Sequence, residues 1–243
     1  MSAKLQRLFV PFGLAPGLQC ALTKEQAHYL GNVLRLKPGA RVLLFNGRDG
    51  EWRCEVAVIG RKGAELRLEE QTRAQDQGPD LHYLFAPLKR ARLDYMAQKA
   101  TELGAGVLRP VITRHTVAER LNTERLRANA IEAAEQCGIL RVPEVAEPEK
   151  LAKIVDGWDA GRLLIFADEA APQASPLAAL KAHAPGPLAV LIGPEGGFDP
   201  EERASLQAKP FVLPISLGPR VMRADTAAVA ALALVNATLG DWR

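Results

Sequence analysis

A glycine-rich segment late in the chain is the strongest candidate for a ligand-binding loop. It reads Leu-Ile-Gly-Pro-Glu-Gly-Gly-Phe over residues 191–198, between an apolar run and Asp199-Pro200. Glycines allow a backbone to turn sharply and to approach a ligand, because they lack the Cβ atom. In open α/β sheets, ligands bind at the carboxyl ends of strands, which is where such a loop would lie. An ordinary tight turn between a strand and a helix is the alternative interpretation.

A second loop, residues 216–226, combines two arginines with an aspartate. It also follows an apolar run, and it leads into an alanine-rich apolar stretch. Arg220, Arg223 and Asp225 are costly to bury beside such a helix unless they are paired or contact a ligand. The alternatives are that both arginines are solvated and that Asp225 or Thr226 caps the helix.

A third apolar run ends in polar residues, with the sequence Phe166-Ala167-Asp168-Glu169. One strand end of this kind means little, but three in one sheet outline a site. A basic helix accompanies them: residues 89–103 place leucines, methionine and alanines at helical spacing, so their charges fall largely on the other side. Those charges either contact phosphate or form a solvated face.

Several familiar sites are disfavoured by the sequence. No Gly-Lys-Ser/Thr follows the glycines of residues 191–198, as it would in a P-loop. A GxGxxG fingerprint would lie after the first strand of its domain rather than late in the chain, so a Rossmann-type methyltransferase or NAD enzyme is the weaker alternative. The four histidines are scattered, and no Ser-His-Asp set or metal-ligand set is recognisable. We therefore expect no metal.

Strands and helices alternate through the region that would hold these loops. The predicted strands are residues 81–86, 107–112, 163–166, 189–192 and 211–215, and the predicted helices are residues 89–103, 123–137, 176–183, 200–208 and 226–239. This alternation predicts an α/β domain with a largely parallel sheet. The last helix is apolar on all sides, which predicts burial on all sides, in the core and at a subunit interface.

The first 72 residues predict a small barrel-like β module instead. The predicted strands are residues 5–10, 41–45, 51–59 and 64–68, with a hairpin turn at residues 46–50. A helix over residues 23–34 begins with the capping-box pair Thr23 and Gln26. The polar residues 69–80, which include Gly78-Pro79, are the best linker candidate.

Composition is that of an ordinary globular protein: 48% of residues are hydrophobic and 24% are charged. The formal net charge of +3 tolerates a polyanionic partner without demonstrating one. Three widely spaced cysteines without a CxxC pair favour reduced thiols in the cytoplasm. No uncharged apolar stretch reaches the roughly 20 residues that a membrane span needs, so we expect a cytoplasmic protein with no membrane partner.

Several segments, taken in order, carry a family resemblance. They are His-Tyr-Leu at 28–30 with Val-Leu-Arg-Leu-Lys-Pro-Gly at 33–39, Gln-Lys-Ala-Thr-Glu-Leu-Gly at 98–104, Glu-Ala-Ala-Glu-Gln-Cys-Gly at 132–138, Arg-Val-Pro-Glu at 141–144, residues 191–198, and Leu-Gly-Pro-Arg at 217–220. They resemble the SPOUT superfamily, specifically the RsmE-type methyltransferases that act on N3 of a uridine in 16S rRNA. The combination of Ile-Gly-Pro-Glu-Gly-Gly with Leu-Gly-Pro-Arg is the most specific part.

The resemblance implies an α/β SPOUT methyltransferase domain with a parallel sheet and a trefoil knot, over residues 73–243. A small PUA-like β-barrel domain, residues 1–72, would precede it and help to hold RNA. S-adenosyl-L-methionine would be the cofactor, 16S rRNA in the small ribosomal subunit the partner, and a homodimer the functional state.

The resemblance also implies roles for particular residues. The cofactor-binding residues would be Phe166, Ala167, Leu191, Ile192, Gly193, Pro194, Gly196, Gly197, Leu217, Gly218, Pro219, Val221, Met222 and Ala224. The catalytic residues would be Arg220, Arg223 and Glu195. The RNA-binding residues would be Arg7, Arg35, Lys37, Lys89, Arg90, Arg92 and Arg114.

Methylation at N3 of uracil sets the chemistry that these residues must support. The N3 proton must leave, and negative charge moves onto the carbonyl oxygens, so a base and a nearby cation both help. Either arginine of the second loop suits the electrostatic role, and Glu195 suits that of a base or an orienting group. The family usually has Arg-Thr-Glu-Thr where this chain has Arg223-Ala224-Asp225-Thr226, which weakens the case for a catalytic Asp225. A non-catalytic RNA-binding or ribosome-assembly protein on the same fold is the alternative function.

Overall fold

Two separate sheets organise the chain. The computed structural model describes residues 5–60, 63–117, 121–172 and 175–242, with the side chain of Arg90 left outside that description. The chain forms two units: Met1–Gln77 with Ala134–Val142, and Gly78–Ala133 with Pro143–Arg243. Each unit has its own sheet and its own hydrophobic core.

The first unit contains a five-stranded, mainly antiparallel sheet. Its strands are β1 (Arg7–Phe9), β2 (Gln19–Ala21), β3 (Arg41–Phe45), β4 (Glu51–Gly60) and β5 (Gly63–Arg73). Their order is β1-β3-β4-β5-β2, and the β1–β3 pair alone is parallel. Alternate residues of β3 and β5, such as Val42, Leu44 and Leu66, point into the core, as period-2 patterning requires.

Two predictions for this unit need correction. β5 runs on to Arg73 because its polar second half pairs with β4, so the predicted linker at 69–80 is wrong for its first five residues. The short strand β2 was not predicted. The hairpin between β3 and β4 is confirmed, and Gly50 (φ +75°) is required there, because a Cβ atom would lie 2.3 Å from the Arg73 carbonyl oxygen.

The helix predicted at residues 23–34 forms with two geometries. α1 (Lys24–His28) begins at Thr23, whose hydroxyl accepts from the Gln26 amide in the predicted capping box. The chain then widens into a π-helical turn, Tyr29–Val33. It leaves that turn through Arg35, which has a left-handed φ of +56°.

The second unit contains a parallel sheet, which confirms the prediction of an α/β domain with a largely parallel sheet. Its strands are β6 (Leu81–Phe85), β7 (Val107–Ile112), β8 (Glu144–Val145), β9 (Glu149–Lys150), β10 (Leu163–Ala167), β11 (Leu188–Ile192) and β12 (Val212–Ile215). The order is β12-β10-β11-β6-β7-β8, and β9 also pairs with β7. All of these pairings are parallel, so their carboxyl ends lie along one edge of the sheet.

Helices cover both faces of this sheet. They are α2 (Arg90–Glu102), α3 (Thr123–Cys137), α4 (Leu151–Asp156), α5 (Pro176–Lys181), α6 (Pro200–Gln207) and α7 (Ala224–Thr238). Ile165 and Val190 belong to the same apolar cluster as residues of α2 and α7, whereas Phe166 and Leu191 belong to another with residues of α4 and α6. Helix α4 was not predicted.

Helix α7 is apolar but not buried on all sides within one chain. Ala228, Leu232 and Val235 are buried on one face, whereas Val229 and Leu234 are only half-buried. Among the described residues, no helix has the length and apolarity to cross a membrane.

Candidate active site

A cavity of about 500 Å³ opens at the carboxyl edge of the parallel sheet. It lies within one unit, where the loops after the adjacent strands β10, β11 and β12 meet. Its volume falls in the range of roughly 300–1,000 Å³ that is usual for small-molecule sites. The lining residues are Arg92, Ala167–Ala170, Ile192–Glu195, Gly197, Phe198, Arg203, Leu217–Ala224 and Ala227.

The loop after β11 is folded tightly against its own aromatic residue. Gly193 lies under the ring of Phe198, which makes an edge-on contact with Phe166 at a centroid distance of 5.0 Å. The amide of Gly197 donates to the Pro194 carbonyl oxygen at 2.9 Å, and its φ of +72° is one that glycine adopts readily. The loop therefore needs glycine at both positions for different reasons.

The start of α6 holds the far end of that loop. Asp199 caps the helix, Pro200 occupies its first turn, and Glu202 completes the predicted capping box. The Arg114 guanidinium binds Asp199 at 2.8 Å and Glu201 at 2.5 Å. The hydrogen bond with Glu201, together with the charges of both carboxylates, raises the pKa of Arg114 above its ordinary value. Arg114 therefore stabilises the loop's exit into α6, and its predicted contact with RNA would compete with these pairs.

The loop after β12 carries exposed cations into the cavity. Gly218 has a left-handed φ of +111°, and its amide donates to the Ser216 hydroxyl. Arg220 and Arg223 are exposed, and neither forms an ion pair with any residue that the structure describes. Arg223 is also the N-cap of α7, where no side chain caps the helix. This wall of the cavity is suited to bind negative charge.

Arg92 connects this region to the loop after β11. Its guanidinium forms an ion pair with the Glu195 carboxylate, and its Nε atom lies 4.0 Å from the Asp225 carboxylate. Burial raises the pKa of the Tyr83 phenol well above its ordinary value, and the negative charge of Asp225 adds a smaller contribution in the same direction. Tyr83 is therefore neutral, and its hydroxyl lies 3.6 Å from the Met96 sulfur. Arg92 lines the cavity as the counter-ion of Glu195, and its predicted contact with RNA stays a prediction.

A buried carboxylate fixes the loop after β10. Asp168 is only 5% exposed, and it accepts hydrogen bonds from Arg203 at 2.8 Å and from Gln207 at 3.0 Å. It also accepts from the Ala170 amide at 3.0 Å, and the Arg203 guanidinium donates back to the Ala170 carbonyl. Neither partner was predicted from the sequence. The i, i+4 spacing of Arg203 and Gln207 on one helix face is the signal that could have identified them.

Most of the residues predicted to bind cofactor line the cavity, but three do not. Phe166 and Leu191 are fully buried in the core beneath it. Gly196 is exposed, and a Cβ atom there would meet only the Cβ of His115 at 3.6 Å. The three predicted catalytic residues, Arg220, Arg223 and Glu195, all line the cavity. Their roles stay predictions.

The prediction that Arg7 binds RNA is wrong. Its side chain is 4% exposed, and it forms an ion pair with Glu51 at 2.6 Å. It also donates to the carbonyl oxygens of Ala134, Glu135 and Ile139. Four of the five N–H donors of this guanidinium are used in these bonds, and the side chain is buried, so it cannot reach a phosphate from solvent.

The other predicted RNA contacts remain accessible where they are described. Arg35, Lys37 and Lys89 are exposed, whereas the side chain of Arg90 lies outside the described residues. Within the described part of the chain, no group of three or more histidine, cysteine, aspartate or glutamate residues is placed to hold a metal ion.

Comparison with known proteins identifies the class to which this fold and cavity belong. A family model described as an RNA methyltransferase domain matches residues 76–236, and one described as an RNA methyltransferase PUA domain matches residues 22–69. The chain is 32% identical over 236 residues to the ribosomal RNA small subunit methyltransferase E of Rickettsia conorii, covering 96% of each chain. It is 33% identical over 224 residues to the Synechocystis protein of the same name, covering 90% of this chain and 73% of that one.

Solved structures show the same likeness over the full length. A ribosomal RNA small subunit methyltransferase E from Neisseria gonorrhoeae, bound to S-adenosylmethionine, has a TM-score of 0.83 and 26% identity, covering 99% of this chain and 100% of that one. A Legionella pneumophila protein in complex with the same cofactor also has a TM-score of 0.83, with 29% identity over 97% of this chain and 98% of that one. The chain belongs to the family of RNA methyltransferases that contains the ribosomal RNA small subunit methyltransferases E.

Proposed function

We propose that this protein uses S-adenosylmethionine to methylate N3 of a uridine in the 16S rRNA of the small ribosomal subunit. The observation that carries the proposal is the cavity, in which two glycine loops and the exposed Arg220 and Arg223 meet at the edge of a parallel sheet. Relatives that match the whole chain are small-subunit rRNA methyltransferases, and one of them binds this cofactor.

The cavity fits S-adenosylmethionine in size and in chemistry. Gly193, Gly197 and Gly218 line it without side chains, and the loops after β11 and β12 border it on two sides. When bound, the cofactor supplies an activated methyl group. Such a transfer needs little covalent help, so catalysis comes mainly from orientation and electrostatics.

We assign the electrostatic role to Arg220 and Arg223. As uracil loses its N3 proton to solvent water, negative charge develops on the neighbouring carbonyl oxygens, and an exposed guanidinium can stabilise it there. Glu195 is already held by Arg92 in an ion pair. We therefore assign Glu195 a role in orienting the uridine and not in removing its proton. The target base must leave any stacked arrangement to reach the site.

Several features of the resemblance belong to the same proposal. We infer a trefoil knot in the methyltransferase domain, residues 73–243, and a barrel-like PUA domain, residues 1–72, that holds RNA. We also infer a cytoplasmic homodimer, supported by the half-buried face of α7 at Val229, Ala230, Ala233 and Leu234. Light scattering measures the dimer, and limited proteolysis between the two domains tests the division of the chain.

Tritiated methyl transfer to small ribosomal subunits that lack their modifications tests the main proposal. Nucleoside analysis of the product should give 3-methyluridine. Cofactor binding without incorporation would indicate another RNA substrate. The absence of both binding and incorporation would favour a non-catalytic RNA-binding protein.

A further inference from the structure

Glu169 is an acidic residue of the cavity to which no role in methyl transfer is assigned. The other two cavity carboxylates, Asp168 and Glu195, are bound by Arg203 and Arg92. Glu169 is exposed to the cavity, and its carboxylate makes no hydrogen bond or ion pair with any residue that the structure describes. It therefore keeps its full capacity to accept hydrogen bonds from a ligand.

Hydrogen bonds hold the backbone on both sides of Glu169. The residue before it, Asp168, is held by two side chains of α6, and the residue after it, Ala170, bonds with both Asp168 and Arg203. With the backbone held on both sides, the Glu169 side chain lines the cavity.

The facing loop leaves room for this carboxylate. A Cβ atom built on Gly197 would lie 3.3 Å from Glu169 Oε1, closer than most Cβ contacts. Gly197 therefore serves two purposes, since it makes the tight turn and leaves the Glu169 carboxylate uncovered.

Strand order decides which part of a ligand this carboxylate would meet. Because β10 lies between β12 and β11, Glu169 projects between the two glycine loops. A ligand that contacts both loops has its middle there. In S-adenosylmethionine the middle group is the ribose, which joins the adenine to the methionine part and presents two adjacent hydroxyl donors. A carboxylate that is acceptor-only and has two oxygens matches such a diol, as it does for the ribose of dinucleotides in other α/β folds.

We propose that Glu169 binds the ribose hydroxyls of the cofactor and so determines specificity for a ribonucleoside. This inference rests on the proposed function, because it takes S-adenosylmethionine to be the ligand. The chief competitor for the same carboxylate is the cofactor's ammonium group. Binding of 5′-methylthioadenosine distinguishes a contact with the ribose from a contact with the ammonium group, because this compound keeps the ribose and lacks the ammonium group.

Calorimetric titration of the full-length protein with both ligands tests the proposal. Glu169→Gln should weaken S-adenosylmethionine and 5′-methylthioadenosine by the same factor, roughly 10- to 100-fold, since it removes a charged acceptor. The wild-type protein should bind adenosine more tightly than 2′-deoxyadenosine, and the variant should lose most of that preference. Glu124→Gln, on the exposed first turn of α3, is the matched control and should bind like wild type.

Three outcomes would overturn the proposal, and they have different meanings. Equal binding by wild type and Glu169→Gln would exclude any contact of this carboxylate with the cofactor. Weaker S-adenosylmethionine binding with unchanged 5′-methylthioadenosine binding would assign Glu169 to the ammonium group instead. Failure of the wild-type protein to bind S-adenosylmethionine would refute the proposed function itself. Glu169→Gln should unfold at the wild-type temperature, because its carboxylate has no hydrogen bond or ion pair to lose among the residues that the structure describes.

Discussion

Replacing Gly193 with alanine should damage the cavity through one aromatic ring. The new Cβ atom would lie 2.4 Å from Cε2 and 2.9 Å from Cδ2 of Phe198. Carbon atoms in contact prefer about 3.5–4.0 Å, so the ring must move by roughly 1 Å or more. That movement breaks its edge-on contact with Phe166 and displaces a residue that lines the cavity.

The size of the effect follows from two terms. Overpacking a close-packed site costs about 1–3 kcal/mol, and the aromatic contact at risk is worth about 0.5–1.5 kcal/mol. We expect the free energy of unfolding of Gly193→Ala to fall by about 1.5–4.5 kcal/mol, the sum of the two terms. The melting temperature should fall by roughly 3–18 °C, and affinity for S-adenosylmethionine by about tenfold or more.

Gly196→Ala in the same loop is the matched comparison. Its Cβ atom would make only an ordinary contact with His115, at 3.6 Å, so we expect wild-type stability and affinity. Thermal unfolding and calorimetric titration of both variants, side by side, give the result. Equal effects of the two substitutions would refute the reasoning, because the loop would then require glycine for a reason other than the position of Phe198.

Three further predictions concern charge and burial. Asp168→Asn should lower the free energy of unfolding by about 1–3 kcal/mol in urea titrations, since it leaves a partly buried guanidinium without its carboxylate; an unchanged midpoint would contradict this. Arg223→Ala should lower kcat for methyl transfer by roughly 100-fold with little change in cofactor affinity, and loss of affinity alone would assign the arginine to binding. Burial raises the pKa of the Cys54 thiol to about 12, so this thiol stays protonated at pH 8–9. A thiol reagent should then modify exposed Cys137 quickly and Cys54 only after unfolding, and equal rates in the folded protein would contradict that.

The parallel sheet was predictable because its strands are buried on both faces. Such strands appear in the sequence as continuous apolar runs, and Leu188–Ile192 is buried at all five positions. The capping pattern at Asp199 marked the start of α6 for a similarly local reason. Strands β8 and β9 have two residues each, which is too short for any periodicity.

Side-chain roles that depend on distant partners were not predictable. Arginine is a residue type that commonly contacts phosphate, which is why Arg7 was predicted to bind RNA. Its partner Glu51, however, comes 44 residues later, and its carbonyl acceptors come more than 120 residues later. The pairing of Asp168 with Arg203 likewise spans 35 residues. The cavity loops were found because glycine-rich strand ends are a local signal, whereas the ion pairs that fix them are properties of the folded chain.

The composition of the first unit has a consequence for folding during synthesis. Phe9 and Phe45 pack against Ala134 and Leu140, and the Arg7 guanidinium holds the carbonyl groups of that same late segment. All five strands of this unit leave the ribosome long before their final neighbours exist. At roughly 5–20 residues per second, several seconds separate the emergence of Gln77 from that of Val142. During that interval the nascent chain exposes the aromatic surface of Phe9 and Phe45, and the Arg7 guanidinium lacks the carbonyl groups that it binds in the folded protein. A chaperone or the ribosomal tunnel exit would have to shield this state.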